Sequence, residues 1–397
     1  MSCFIMKYNF DTIIDRYNTN SIKWDFADMF FSVKGLLPMW VADMDFKAPG
    51  PIVEAVQKVA EHGIFGYSGI PDSYYDAYIQ WMQRRHSWNI EREWIVFTPG
   101  VVPALHLLIR AFTQPGDQVV VQTPVYYPFF DAISSNGCER LDNPLQLSNN
   151  QYVMDLVDLE KKITPRTKMI ILCSPHNPIG RVWTREELKD LGELCMKYDI
   201  LIVSDEIHED IVYPGHVHTP FHSISPEFAD KCIICTGASK TFNLPGLQVS
   251  NIVISSPLLR ERFQNTLRSC GIMFPNIFGI AATEAAYHYG ELWLLQLLDY
   301  LQGNIRFMEE FAMKKIPGLQ IYQLQGTYLA WLDFRKCDIV PDKLGSFVRE
   351  DAKVGLEAGV IFGCKEEGFE RMNIACPRSV LNEGLEKIEK AVKRLRT

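Results

Sequence analysis

The sequence predicts an α/β protein: a layered domain around a mainly parallel sheet, followed by a smaller α+β unit. The first observation is a set of short apolar runs, each ended by turn residues: 118–122 (QVVVQ), 168–173 (KMIILC), 200–204 (ILIVS), 232–235 (CIIC) and 248–254 (QVSNIVI). Strands buried on both faces read this way, and such strands belong to parallel sheets. The second is the helical pattern between runs. Its clearest case, 184–198, opens with the capping box Thr184-x-x-Glu187. The third is the tail, which changes character. A long helical pattern spans 291–315, then a strand at 327–334, a helix near 342–352, a short strand at 371–375 and an amphipathic helix from Ser379.

These elements divide the chain into a large domain over 47–290 and a small one over 291–397. The first 46 residues are irregular, with Pro38 and many aromatics. They are expected as an arm that contributes to the small domain, wrapping the rest or packing on a partner subunit. A chain of 397 residues suffices for a large and a small domain sharing one core.

At 47% hydrophobic and 22% charged, the composition is that of a soluble globular protein. The net charge of −8, with no basic stripe, disfavours nucleic acid as the main partner. No apolar run reaches the ~18 residues that span a membrane, and the start lacks a signal-peptide pattern. The ten cysteines are scattered, mostly inside apolar runs, as reduced hydrophobes in a cytoplasm would be. Cys232 and Cys235 form a C-x-x-C, but a strand points them to opposite faces. His216–His222 (HVHTPFH), beside Gly215, reads as a polar loop. No metal site is expected from either.

In an open parallel sheet, ligands bind beyond the carboxyl ends of strands. After 95–97 comes Thr98-Pro99-Gly100-Val101-Val102, then a helical run. A glycine turn opening a helix offers free N–H groups to phosphate. The next ends carry Tyr126, then Asn177 in SPHNPIG, then Asp205 in SDEIHED, then Lys240 in TGASKTFNLPGLQ. Each has an ordinary reading alone: core packing, turn, helix cap, surface charge. Together they suit pyridoxal phosphate: phosphate at the helix, aldehyde at Lys240, ring nitrogen at Asp205, phenolic oxygen at Asn177 and ring face on Tyr126.

SPHNPIGRVW, SDEIHED and SKTFNLPGLQ resemble fold type I pyridoxal-phosphate enzymes, the aspartate-aminotransferase-like superfamily, which implies a seven-stranded large-domain sheet. More narrowly, MWVADMDF, FGYSGIPDSYYDAYIQW, TPGVVPALHLLIRAF, GTYLAWLDFR and ERMNIACPRSVL resemble the cysteine-S-conjugate β-lyase (cystathionine β-lyase, MalY/PatB-type) family, from about residue 20 to 395. That resemblance implies Lys240 as the Schiff-base lysine and Asp205 as partner of the ring nitrogen. Catalysis would rest on these two and on Tyr126. It implies Asn177 and His208 near the phenolic oxygen, and Gly100, Val101, Val102 and Ser239 around the phosphate. Tyr67 would reach the neighbouring subunit's phosphate, which implies a homodimer with shared sites. Arg371 would clamp the substrate α-carboxylate, with the backbone of Val41 and Ala42 beside it.

Gln248 stands where the wider superfamily usually has a phosphate-binding arginine, and Gly237 where it often has serine. The β-lyase branch commonly lacks that arginine. GCKEEG (363–368), just before Arg371, holds few glycines for that position. The resemblance implies α,β-elimination from a cysteine thioether, to thiol, pyruvate and ammonia. An aminotransferase uses the same residues and is the alternative; a pyridoxal-phosphate-binding regulator without turnover is the other.

Overall fold

The computed structural model describes residues 7–364 and 367–395. Seven strands form the main sheet: β1 (Ile95–Thr98), β2 (Gln118–Val121), β3 (Glu139–Asp142), β4 (Thr167–Cys173), β5 (Leu201–Asp205), β6 (Cys232–Thr236) and β7 (Ser250–Val253). Their order is β1-β7-β6-β5-β4-β2-β3, and only β7 runs antiparallel to its neighbours. The expected runs are all strands. The direction of β7 is new information. A parallel return from β6 needs a full crossover. Instead the chain turns back at the carboxyl end of β6, through two short helical turns and a left-handed Gln248.

Each β-strand residue alternates between two cores. Ile170 and Leu172 enter one, Met169 and Ile171 the other. Cys232 and Cys235 part in the same way, as the strand reading expects. The first core continues without a break into Trp331, Leu329 and Met372 of a second sheet. That sheet is antiparallel, from β8 (Gln320–Ile321), β9 (Leu329–Asp333), β10 (Glu357–Ala358) and β11 (Phe369–Asn373), in the order β8-β9-β11-β10.

The helices follow their caps. In α1 (Arg185–Lys197), Thr184 Oγ1 accepts from the Glu187 N–H at 3.2 Å, and Glu187 Oε2 accepts from the Thr184 N–H at 2.8 Å. Such a cap stabilises by about 1 kcal/mol. The long α2 (Glu291–Lys315) buries Trp293, Leu294, Leu297, Leu301, Ile305, Met308 and Phe311 along one stripe. The helix expected near 342–352 is not regular. A single α-turn, Leu344–Ser346, passes into a π-turn, Phe347–Asp351, and the Ala352 N–H reaches back to Phe347 O at 3.0 Å. The wider turn buries Ala352 as well as Leu344, Phe347 and Val348. Among the described residues, no helix is long and apolar enough to cross a membrane.

The arm is irregular, as expected, apart from Ala27–Phe31 and a two-residue pairing of Leu37–Pro38 with Val354–Gly355. An ionic network within it ties residues 16–24 to Asp43 and Asp45. Lys23 is 1% exposed and donates to Asp45 Oδ2 at 2.7 Å. Arg16 bridges Asp43 (2.7 and 2.9 Å) and Asp45 (2.7 Å), and Trp24 Nε1 donates to Asp45 at 2.9 Å. Asp45→Ala would leave Lys23 only Asp43, through its carbonyl oxygen at 3.3 Å and its carboxylate at 3.7 Å. Uncompensated buried charge is costly, so the expected loss of stability is about 3 kcal/mol, read from urea unfolding midpoints. A loss under about 1 kcal/mol would mean the network behaves as a surface ion pair.

Candidate active site

Lys240 lies on a one-turn helix, α3 (Ala238–Thr241), at the carboxyl end of β6. The next side chain anchors that turn: Thr241 Oγ1 donates to Asp210 Oδ2 at 2.9 Å, and Asp210 also accepts from Trp81 Nε1 at 3.1 Å. Gly237 opens it. A Cβ there would come within 3.2 Å of Ser250 Oγ and 3.3 Å of Ile207 Cδ1. The chain is therefore tight at this position.

Lys240 Nζ donates to Ala42 O at 2.7 Å, and Tyr328 Oη donates to the same oxygen at 3.0 Å. Burial pushes the amine down to about 8; Asp43 and Asp205 oppose this and Arg371 reinforces it. Asp205 ends β5 and accepts one N–H, from Ile207 at 3.2 Å. Burial pushes its carboxyl up to about 7. His208 is buried, packs edge-on to the Tyr328 ring at 5.8 Å, and has Nδ1 without a partner. Tyr126, half-buried, has its phenol pushed up to about 12, chiefly by burial.

Arg371 is 2% exposed at the centre of the second sheet. Its Nη1 donates to Asn177 Oδ1 at 2.8 Å and its Nη2 to Trp40 O at 3.0 Å. Glu357, directly opposite on β10, also pairs with Nη2. Nε has no partner. The segment carrying Trp40, Val41 and Ala42 is itself held. Asn373 Nδ2 donates to Val41 O and Asp43 O, both at 2.6 Å, and Asn243 bonds the backbone of Met44 and Phe46.

Gly100 has φ +130° and precedes the helix α4 (Val101–Phe112), whose N-terminus no side chain caps. Val101 is buried there; Val102, and Ser239 on α3, are half-buried. Tyr67 is not brought into this group. It is 93% exposed and stacks near Phe274 at 5.2 Å, where it lines a cavity of about 400 Å³ with Pro99 and Gln248. In the loop before Arg371, Gly363 and Gly368 both take left-handed φ; Lys365 and Glu366 lie outside the described residues.

The unpartnered atoms define what would fit. An uncapped helix end suits a phosphate. A buried carboxyl with a single donor suits a protonated ring nitrogen, His208 Nδ1 a further polar atom, and a desolvated amine a carbonyl. The free Nε of Arg371 suits a carboxylate. One ligand bearing phosphate, aldehyde and ring nitrogen, together with an α-amino acid, meets every one of these.

Two sets of candidate metal-ligating side chains lie behind α3: His86 with Glu209 and Asp210, and Glu206 with Glu209 and His218. Glu206 already accepts from Ser204, the Phe221 N–H and His218, and Asp210 from Trp81, Thr241 and His86. These bonds satisfy Glu206 and Asp210; Glu209, common to both sets, has Oε2 buried without a hydrogen-bond partner among the described residues. His218 of the HVHTPFH tract belongs to this network, and His222 Nδ1 accepts from Trp88. No disulfide joins the described cysteines. Cys173, beside Asp205, is buried, and burial pushes its thiol well up; Cys3 lies outside the described residues.

Sequence reasoning missed the acceptors and clamps: Tyr328, Asn243, Asn373, Asp43 and Glu357. All but Glu357 lie inside the stretches that carried the family resemblance, so their signal was present but unread. Nothing in the sequence pattern marks Glu357 except a carboxylate in an apolar run.

Residues 41–388 match the aminotransferase class I and II family. Cystathionine beta-lyase PatB of Bacillus subtilis is 44% identical, over 97% of this chain and 100% of that protein. Protein MalY of Escherichia coli is 32% identical, over 98% and 100%. Among solved structures, cystalysin from Treponema denticola, which contains a pyridoxal 5'-phosphate cofactor, has a TM-score of 0.94 at 39% identity, covering 98% of this chain and 100% of that one. The pyridoxal-phosphate-bound C–S lyase from Staphylococcus hominis has a TM-score of 0.92 at 35% identity, covering 98% and 99%.

The amine makes a direct prediction. In the cofactor-free protein, Lys240 should react with an aldehyde half-maximally near pH 8, against 10.5 for an ordinary lysine. Borohydride trapping and peptide mapping across pH measure this. A midpoint matching the surface lysines would remove desolvation as the controlling effect. Because the folded value lies below the unfolded one, the folded chain holds fewer protons between them, and this group makes stability rise with pH across that window.

Proposed function

This chain belongs to the class I and II aminotransferase family, and on that premise we propose that it is a pyridoxal-phosphate-dependent carbon–sulfur β-lyase acting on cystathionine or another cysteine thioether. The observation that carries the reading is the spacing of its two cations. Lys240 bonds Ala42 O and Arg371 bonds Trp40 O, carbonyls two residues apart, thus within about 7 Å along the chain. An α-amino acid held by its carboxylate at Arg371 therefore presents its Cα to the amine. Identity of 44% to a cystathionine β-lyase along nearly the whole chain supports the reaction class.

Lys240 would carry the cofactor. Asp205 would face its ring nitrogen, Asn177 and His208 its phenolic oxygen, and Tyr126 its ring. Gly100, Val101, Val102 and Ser239 would face the phosphate. Bound there, pyridoxal phosphate supplies an electron sink for the Cα carbanion. The protein does the rest. Arg371, held by Asn177, fixes the substrate carboxylate, and Val41 and Ala42 border it. Substrate frees Lys240, whose amine takes the Cα proton at Nζ and returns a proton to the departing sulfur. A base near 8 is matched to neutral pH, where an ordinary lysine is not. Addition of water to the released fragment gives pyruvate and ammonium beside the thiol.

We assign the working form as a cytoplasmic homodimer. Ile64, Phe65, Tyr67, Met273 and Phe274 are exposed together, and rings pair across them (Tyr67–Phe274, 5.2 Å; Phe65–Phe278, 5.6 Å). Exposed apolar clusters of this kind serve as contact faces. Tyr67 would there meet the neighbour's phosphate.

The holoenzyme given cystathionine, with no 2-oxo acid added, should release pyruvate and a thiol, and Lys240→Ala should release neither. Turnover that requires an added 2-oxo acid would make it an aminotransferase instead. Phe274→Glu should shift the sedimentation coefficient from dimer to monomer; an unchanged coefficient would place the interface elsewhere.

A further inference from the structure

Glu370 precedes Arg371 on β11 and points to the opposite face of the sheet. Arg371 lies between Trp331 and Glu357, while Glu370 lies between Leu332 and Ala358. Glu370 is only 2% exposed. A carboxylate so deep in a sheet is costly unless it is paired. Among the described residues its carboxyl makes no hydrogen bond or ion pair.

It borders a cavity of about 290 Å³ between the sheet and the π-turn segment, lined also by Arg349, Lys343, Ser346, Leu344 and Val360. Arg349 comes from the π-turn Phe347–Asp351. Its guanidinium likewise makes no hydrogen bond or ion pair among the described residues. The two opposite charges act on each other only through space: burial pushes the Glu370 carboxyl up to about 8, and Arg349 opposes that. A carboxyl and a guanidinium thus face one cavity without closing on each other.

The ligand that completes such a pair carries a cation for Glu370 and an anion for Arg349, close together on a small body. A free α-amino acid has this chemistry, and Leu344 and Val360 offer an apolar wall to its side chain. We propose that this cavity is a second α-amino-acid-binding site, with Glu370 receiving the ammonium and Arg349 the carboxylate. It is separate from the lyase centre and does not depend on the lyase reading.

The test is calorimetric titration of the holoenzyme with L-alanine, with the cofactor absorbance followed in parallel. Binding at the lyase centre perturbs that absorbance; binding at the second site leaves it unchanged. One absorbance-silent event per chain is expected. Glu370→Gln and Arg349→Gln should each weaken it by about tenfold or more, since each removes a charge-assisted bond. Propionate and propylamine, each carrying half the charge pattern, should bind far more weakly. Glu370→Gln also removes a buried ionisable group, so its thermal midpoint at pH 8 should equal or exceed that of the unsubstituted protein, which separates lost binding from lost folding. No silent event, equal binding by either variant, or propionate binding as well as alanine would overturn the proposal. The last two results would leave a water-filled gap or a plain anion site.

Discussion

The site depends on one stretch of backbone. Carbonyls of Trp40 and Ala42 accept from Arg371 and Lys240, the two cations that confront each other across the cleft. A carbonyl cannot rotate away as a side chain can, so its position is set by what grips the chain around it. Here the grip comes from three directions. Asn243 holds Met44 and Phe46 from the turn after Lys240. Asn373 holds Val41 and Asp43 from the strand of Arg371. Arg16 and Lys23 hold Asp43 and Asp45 from the arm. The arm is thus part of the site's frame although none of residues 7–39 makes a polar contact with Lys240 or Arg371.

Within that frame, desolvation is the largest influence on each charged group. It lowers Lys240 to about 8 and raises Asp205 to about 7, drawing an amine and a carboxyl toward the same pH. In water these groups would differ by about 6.5 pH units. The cleft therefore brings proton exchange at both within reach near neutrality, using burial more than specific partners. Arg371 pays the same penalty and stays cationic, lowered only to about 10. Its pairing with Asn177, Trp40 and Glu357 orients a guanidinium that would otherwise have five donors to satisfy.

Much of this was legible in the sequence because burial leaves a compositional trace. Every run of the middle became a strand, and past their ends Asp205 acts on Lys240 while Asn177 bonds Arg371. The antiparallel sense of β7 was not legible, because alternation in a buried strand reads the same in both directions. Nor was the π-turn at Phe347–Asp351, which preserves the apolar spacing of a helix while widening it. The clamps escaped for a different reason. Arg371 and Trp40 are 331 residues apart, and Lys240 and Ala42 are 198 apart. Contacts of that range follow from the path of the whole chain, and no local pattern announces them.

The distribution of sulfur has a consequence for the thiol-releasing reaction proposed above. Of the described cysteines only Cys270 is exposed and Cys364 half-exposed; the others are buried. Cys173, nearest the cleft, is held as the neutral thiol by burial beside Asp205. Disulfide exchange and capture need a thiolate that solvent can reach. Among the described cysteines, a disulfide formed when such thiols oxidise could therefore exchange readily only with Cys270, and less readily with Cys364.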